Sequence, residues 1–216
     1  RLNRKLTLNL GLRYEIQTPF WEKNNRQGNF DLHTGAVVPA QNGSMLSRAF
    51  SNTDTNNWAP RLGFAYRLRP STVIRGATGI FYGGLGYQAI AQMGPANPPY
   101  FLNVSYASSN TSSASLVRLR DGFPAGTLDP RNVRNPAGVA LLPDFPISAV
   151  YQWNLAVQQE LPADMVMTVS YVGSSSNYLP GFVDVNDALP GAGAVNARRP
   201  FPTYGGITLN SAFAHA

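Results

Sequence analysis

The chain has 216 residues, and 17 basic against 11 acidic side chains leave a formal charge of +6; only 13% of its residues are charged while 44% are hydrophobic. That charge content is about half the usual ~25%, too little to coat a soluble globule readily, and the abundance of Tyr, Phe, Leu and Val disfavours disorder. The absence of Cys excludes a disulfide scaffold and a thiolate site, no uncharged apolar run approaches the ~18 residues of a transmembrane helix, and the opening Arg1-Leu2-Asn3-Arg4-Lys5 is no signal peptide, so the chain is expected to be a piece of a longer protein.

Strict period-two alternation marks the first predicted strand, residues 4–16, with Leu6, Leu8, Leu10, Leu12 and Tyr14 on one face and Thr7, Asn9, Gly11 and Arg13 on the other. The pattern returns over 58–69, where Leu62, Phe64, Tyr66 and Leu68 oppose Arg61, Gly63, Ala65 and Arg67. After Arg69-Pro70-Ser71 a third strand is predicted over 72–82, with Ile74, Gly76, Thr78, Ile80 and Tyr82 against a face carrying Arg75; the Pro-Ser turn makes a hairpin of the pair. A fourth, 149–161, alternates Tyr151, Trp153, Leu155 and Val157 with Gln152, Asn154, Ala156 and Gln158, and ends at the turn signal Pro162-Ala163-Asp164. The fifth, 165–173, carries Met165, Met167, Val169 and Tyr171 on one face and is expected to stop at Gly173-Ser174-Ser175-Ser176-Asn177. A weaker alternation near 206–211 is expected as the start of a sixth.

Short and long connections alternate, since two and three residues join the hairpins whereas residues 17–57 and 83–148 form long links. In an up-and-down meander this gathers the tight turns at one rim and the long loops at the other, as in outer-membrane barrels with short periplasmic turns and long extracellular loops. Compact soluble domains rarely tolerate such loops. A strand of ten residues rises about 3.3 Å per residue and, tilted by about 45°, climbs roughly 23 Å, close to the ~25 Å apolar band of such barrels. Hydrocarbon demands that every backbone group be paired, so the strands predicted here require partners from outside the chain to close a barrel. The expected fold class is therefore all-β, a segment of a transmembrane antiparallel up-and-down β-barrel.

Aromatic residues cluster where strands meet the long loops: Tyr14, Phe20 and Trp21 at the end of the first, Trp58 at the start of the second, Phe81 and Tyr82 at the end of the third, Tyr151 and Trp153 at the start of the fourth. Of these, Tyr14, Trp21, Trp58, Tyr82, Tyr151 and Trp153, with Tyr171, are the candidate membrane-interface residues, their apolar rings in lipid and polar atoms at the headgroups. The plainer account is strand propensity alone, which does not require clustering at one end.

The segments Lys5-Leu6-Thr7-Leu8-Asn9-Leu10-Gly11-Leu12-Arg13-Tyr14-Glu15, Trp58-Ala59-Pro60-Arg61-Leu62-Gly63-Phe64-Ala65-Tyr66 and Ile74-Arg75-Gly76-Ala77-Thr78-Gly79-Ile80-Phe81-Tyr82 resemble barrel strands of TonB-dependent outer-membrane receptors, in particular the large Oar-like subgroup. So do residues 152–161, residues 169–174 and Arg198-Arg199-Pro200-Phe201-Pro202. Each motif alone is weak, but together they cover most of the chain in a consistent order. The resemblance implies a barrel that takes up a nutrient ligand, such as an iron chelate, saccharide or peptide, with energy from the inner-membrane TonB system. The plug domain, the TonB-contacting segment and the aromatic-terminated last strand of such receptors have no counterpart in the residues present. The partners it implies are outer-membrane lipid, lipopolysaccharide and, through the missing plug, TonB.

Catalysis finds little support. His33 and His215, the only histidines, sit in a loop and a tail without a Ser-Asp or carboxylate constellation at a recognisable spacing. Asp121, Asp129 and Asp144 match no Ca²⁺ loop and fit better as turn formers beside Gly122, Pro130 and Pro143. Gly83-Gly84-Leu85-Gly86 lacks the Lys of a phosphate cradle. The basic residues, among them Arg118, Arg120, Arg131, Arg134, Arg198 and Arg199, form no stripe with interleaved aromatics, so lumen and loop positions suit them better than nucleic acid. No catalytic residue, metal or cofactor is expected, and nothing selects the ligand. The alternative is a soluble extracellular β-sandwich that binds carbohydrate or another ligand, with the apolar strand faces forming its core.

Overall fold

A computed structural model describes residues 4–83, 97–103, 120, 122–127 and 129–216. In chain order its elements are β1 (Leu6–Gln17), β2 (Gly28–Asp31), β3 (Ala36–Pro39), a short helix α1 (Met45–Ala49), β4 (Asp54–Arg69), β5 (Thr72–Gly83), β6 (Gly138–Leu141), β7 (Ser148–Leu161), β8 (Met165–Asn177), β9 (Leu179–Asp184) and β10 (Ile207–Ala214). Five of these, in the order β1-β4-β5-β7-β8, form one antiparallel up-and-down sheet. Its outer strands β1 and β8 are not joined to each other, so the sheet is open.

Both tight turns lie at one end. Arg69 pairs with Thr72 across Pro70-Ser71, with a register shift between Arg67 and Arg69. Leu161 pairs with Met165 across Pro162-Ala163-Asp164, where Ala163 and Asp164 take positive φ values of 62° and 56°. Proline, whose φ is fixed, opens each turn and donates no hydrogen bond that the ladder would miss.

The strands run past their predicted limits at the opposite end. β4 begins at Asp54 rather than 58, and β8 continues through the Gly-Ser run to Asn177 rather than stopping at 173. Small polar side chains look like a turn in sequence, but β7 offers an unbroken partner: Ser174, Ser175 and Ser176 pair with Gln152, Tyr151 and Val150. Only at Tyr178, with φ 58°, does the backbone bend, passing at once into β9.

The described parts of the long connections carry secondary structure of their own. β2 and β3 make a hairpin in the first, and β6 lies in the second. The predicted sixth strand is present as β10, but it pairs in parallel with β6 and antiparallel with β9 in a separate three-stranded sheet instead of extending the five-stranded one. These pieces pack around the buried Phe30, Ala140 and Ile207, and Phe30 meets Phe201 and Tyr204 edge-on at 5.1 and 4.8 Å. Short strands leave many backbone groups without a ladder, and asparagine side chains take their place. Asn97, fully buried, donates to the Gly28 and Val139 carbonyls and accepts from the Val139 N–H. Asn29 makes the same two-way contact with Leu141. Asn186, also fully buried, accepts from the Phe201 N–H and donates to the Phe201 and Gly205 carbonyls.

Truncating Asn186 strands several buried backbone groups at once. Asn186→Ala is expected to destabilise this rim body by about 2–3 kcal/mol. Hydrogen exchange on the full-length protein should then rise across 199–207 and stay unchanged in β4 and β5.

Candidate functional site: the two faces of the sheet

The register assigns every side chain of the five strands to one of two faces. The fully paired row Leu10, Leu62, Thr78, Trp153 and Gly173 is followed toward the turn end by Leu8, Phe64, Gly76, Leu155 and Tyr171, and then by Leu6, Tyr66, Ile74, Val157 and Val169. All belong to a single apolar face, because residues directly opposite in a ladder point the same way. Among the described residues no second layer covers it, and Leu10 is 78% exposed, Leu12 66% and Val169 63%. In water such a face costs free energy over its whole area; in hydrocarbon that cost vanishes.

Without a covering layer, packing on this face is lateral. A Cβ placed on Gly76 would lie 2.5 Å from the Phe64 ring, and one on Gly173 2.5 Å from Trp153 Nε1. Both glycines are thus floors on which a neighbouring strand's aromatic ring lies, an arrangement that restores the apolar contact a glycine strand position lacks.

The candidate interface aromatics divide by position. Tyr14 and Trp58 are directly paired, their rings 4.4 Å apart, and the Tyr82 hydroxyl donates to the Trp58 carbonyl at 3.3 Å. The Tyr14 hydroxyl donates to the Thr55 carbonyl. Tyr151 and Trp153 follow one another down the same face of β7. Tyr171 sits lower on its strand, in the row of Leu8 and Leu155. Trp21 is not on a strand: it lies beyond the end of β1, its ring covered by the Arg48 guanidinium of α1 at 3.4 Å, and so serves the rim packing.

The opposite face is polar. Asn9, Arg61, Gln152 and Asn154 border a shallow hollow of about 420 Å³ with Phe81. Arg61 lies over the Phe81 ring, 4.6 Å from its centre. Arg13 and Glu15, two residues apart and hence on the same face, pair at 2.9 Å. Arg67 and Arg75 share this face, since they pair with Val73 and Ala65. Such a wall suits a hydrated lumen, where amides and guanidinium groups can bind polar solute or a polar protein surface.

At the rim the remaining titratable groups have local tasks. The His33 N–H and the Thr34 hydroxyl donate to Asp31 and hold its carboxyl below the usual carboxylate range. Arg131 does the same to Asp129 through a 2.7 Å ion pair, and Asp144 accepts from Asn52 at 2.9 Å. His215 Nδ1 lies 3.1 Å from Asn177 Oδ1. Arg199 donates to the Asn186 carbonyl and Arg198 to that of Leu189, both inside the rim body. Asp121, Arg118 and Gly84 to Gly86 lie outside the described residues. Sequence reasoning missed the buried asparagines altogether, because Asn in a polar stretch signals a turn.

Residues 1–215 match the family model described as an outer membrane beta barrel domain. No curated protein and no solved structure matches the chain. The match spans nearly the whole chain, so the chain belongs to the outer membrane β-barrel family and is located in the outer membrane. This sets aside the soluble sandwich, which would need a second sheet across the apolar face.

Two substitutions test the face assignment. Leu10→Arg in the intact barrel is expected to cost about 2–4 kcal/mol, and Asn9→Arg, on the polar face, far less; unfolding measured in lipid separates them. Gly76→Ala should cost about 1–3 kcal/mol by driving a methyl into the Phe64 ring. Most of that loss should return in the Phe64→Ala, Gly76→Ala double variant, as a double-mutant cycle would record.

Proposed function

We propose that the chain forms part of the wall of a TonB-dependent outer-membrane transporter, which takes up a nutrient ligand with energy relayed from the inner membrane. One observation carries the reading: the polar face runs from the tight-turn end toward a rim where described parts of the long connections pack around Phe30, Ala140 and Ile207. A rim of that kind can hold a defined surface for capture, whereas a loose fringe cannot, because the entropy of ordering it would oppose each binding event. The motif resemblance of residues 5–15, 58–66 and 74–82 to TonB-dependent receptors supports energised uptake over passive diffusion.

The roles divide by face. The apolar residues of β1, β4, β5, β7 and β8 hold the wall in lipid, and the wall's polar groups Asn9, Arg61, Gln152 and Asn154 offer hydrogen bonds to whatever passes or plugs the lumen. The chain carries out no covalent chemistry in this reading. Iron chelates, saccharides and peptides are all compatible with such a wall.

Energy coupling requires contact with TonB, so the test is physical. In cells making the full-length protein, photo-crosslinking from the periplasmic domain of TonB is expected to capture it. A protein that reaches the outer membrane in normal amount yet yields no crosslink would refute TonB dependence and leave a passive or secretory barrel.

A further inference from the structure

The hollow on the polar face is ringed by hydrogen-bond donors. Two adjacent paired rows build it: Gly11, Arg61, Gly79 and Gln152 in one, and Asn9, Gly63, Ala77 and Asn154 in the next toward the turns. The four small residues leave the recess, and one guanidinium and three carboxamides stand around it. Among the described residues no carboxylate lines it.

Arg61 is set in place by its neighbours. A Cβ on Gly79, directly opposite, would lie 3.1 Å from Arg61 Cγ and 3.3 Å from the Phe81 ring, so the arginine stem and the ring meet over the space this glycine leaves. The guanidinium lies over the ring, 4.6 Å from its centre, a contact that fixes its plane and leaves its N–H edge open. On the same face Arg13 is matched by Glu15, whereas Arg61 makes no ion pair among the described residues. Neither do Arg75 and Arg67, which follow farther toward the turns, and Glu160 of this face lies beside the Pro162 turn. Three unmatched guanidinium groups on one wall give it a positive field.

An exposed guanidinium by itself holds an anion weakly, because water screens the pair. The surroundings of Arg61 add what charge alone lacks. Its planar fork can hold two oxygens of one anionic group, the three amides offer further N–H donors, and the recess of about 420 Å³ is of the size that small-molecule sites have. We propose that this hollow is a binding subsite for a small anionic solute, whose carboxylate or phosphate oxygens accept from the Arg61 guanidinium and from the Asn9, Gln152 and Asn154 amides. The inference narrows the uptake reading to anionic cargo, and it rests on the polar face being the wall of the lumen. A neutral solute would occupy the amides and leave the positive field of the wall unanswered.

Citrate and inorganic phosphate are the probes and glucose the neutral control, each titrated calorimetrically into the purified full-length protein in uncharged detergent. At least one of the two anions is expected to bind, more weakly as the salt concentration rises, and glucose is not. Arg61→Gln should weaken the anion about ten- to a hundredfold, the range for a lost charge-assisted hydrogen bond. Asn154→Asp keeps the shape of the side chain but puts an acid into the hollow, and should weaken it at least about tenfold. Arg131→Gln, which removes a rim guanidinium already paired with Asp129, should leave the affinity unchanged. Resistance of the folded barrel to denaturation in unheated gel samples shows that each variant has assembled. Failure of both anions to bind would overturn the subsite, and is the result expected if an acidic segment of the protein itself fills the hollow. Binding that survives both hollow substitutions, or glucose binding as tight as that of the anions, would overturn it as well. Neither TonB nor an energy source enters the titration, so the subsite and TonB dependence fail separately.

Discussion

Backbone pairing is the constraint on which the rest depends. In hydrocarbon an unpaired N–H or C=O has no water to turn to and costs several kcal/mol. β7 meets that demand on both sides, pairing with β5 over 148–159 and with β8 over 149–161, while β4 pairs with β1 over 54–66 and with β5 over 61–69. Once every strand is paired edge to edge, the side chains have only two destinations, and alternation sorts them without further instruction. Leucine and most aromatic side chains go to one face, most amides and guanidinium groups to the other; Phe81, under Arg61 on the polar face, and Gln159, opposite Met167 on the apolar one, are exceptions. The same demand accounts for the tight turns at Pro70 and Pro162, which return the chain with few unpaired groups, while the crossings on the opposite side, free in water, can be long.

Stability on the lipid face follows a different logic from that of a core. A core residue gains by leaving water, but a side chain in hydrocarbon leaves one apolar medium for another, so lateral fit supplies what transfer cannot. The Phe64 ring over Gly76 and the Trp153 indole over Gly173 show how that fit is made. Glycine in a strand is ordinarily a loss of both packing and backbone order. Here it is the recess that lets a large ring lie flat against the sheet.

How much of this could be read from the sequence varied with the mechanism at work. The five long strands were legible because each repeats its pattern for several periods, and a sustained period-two stripe is incompatible with the 3.6-residue period of a helix. The upper end of β8 was not, since Gly173 to Asn177 has turn composition and is held in the ladder by the facing residues of β7. β2, β3 and β6 escaped because four residues are too few for a periodic signal, although Gly35, with φ 67° after Asp31-Leu32-His33-Thr34, closes a hairpin that a turn signature would have suggested. The polar face of the candidate site was legible residue by residue. Its hollow was not, because that depends on which strands are neighbours.

Asn29, Asn97 and Asn186 bear on how the rim and the sheet act together. A carboxamide carries a donor and an acceptor at the spacing of a peptide group, so a buried Asn can continue a ladder where no strand is available. The same substitution of side chain for backbone occurs where the rim joins the sheet. Asp54 Oδ2 accepts from the Ile147 N–H at 2.9 Å, the Asn52 N–H donates to the Pro143 carbonyl at 2.8 Å, and Asn52 Nδ2 donates to Asp144. These bonds tie the entry of β4 to the entry of β7, two strands that the ladder itself keeps apart by inserting β5 between them. Spacing at the top of the sheet is therefore set twice, once by backbone pairing within it and once by side chains across it. A displacement of the connection before β7 must then pull on β4 as well, which makes the rim body and the wall one mechanical unit.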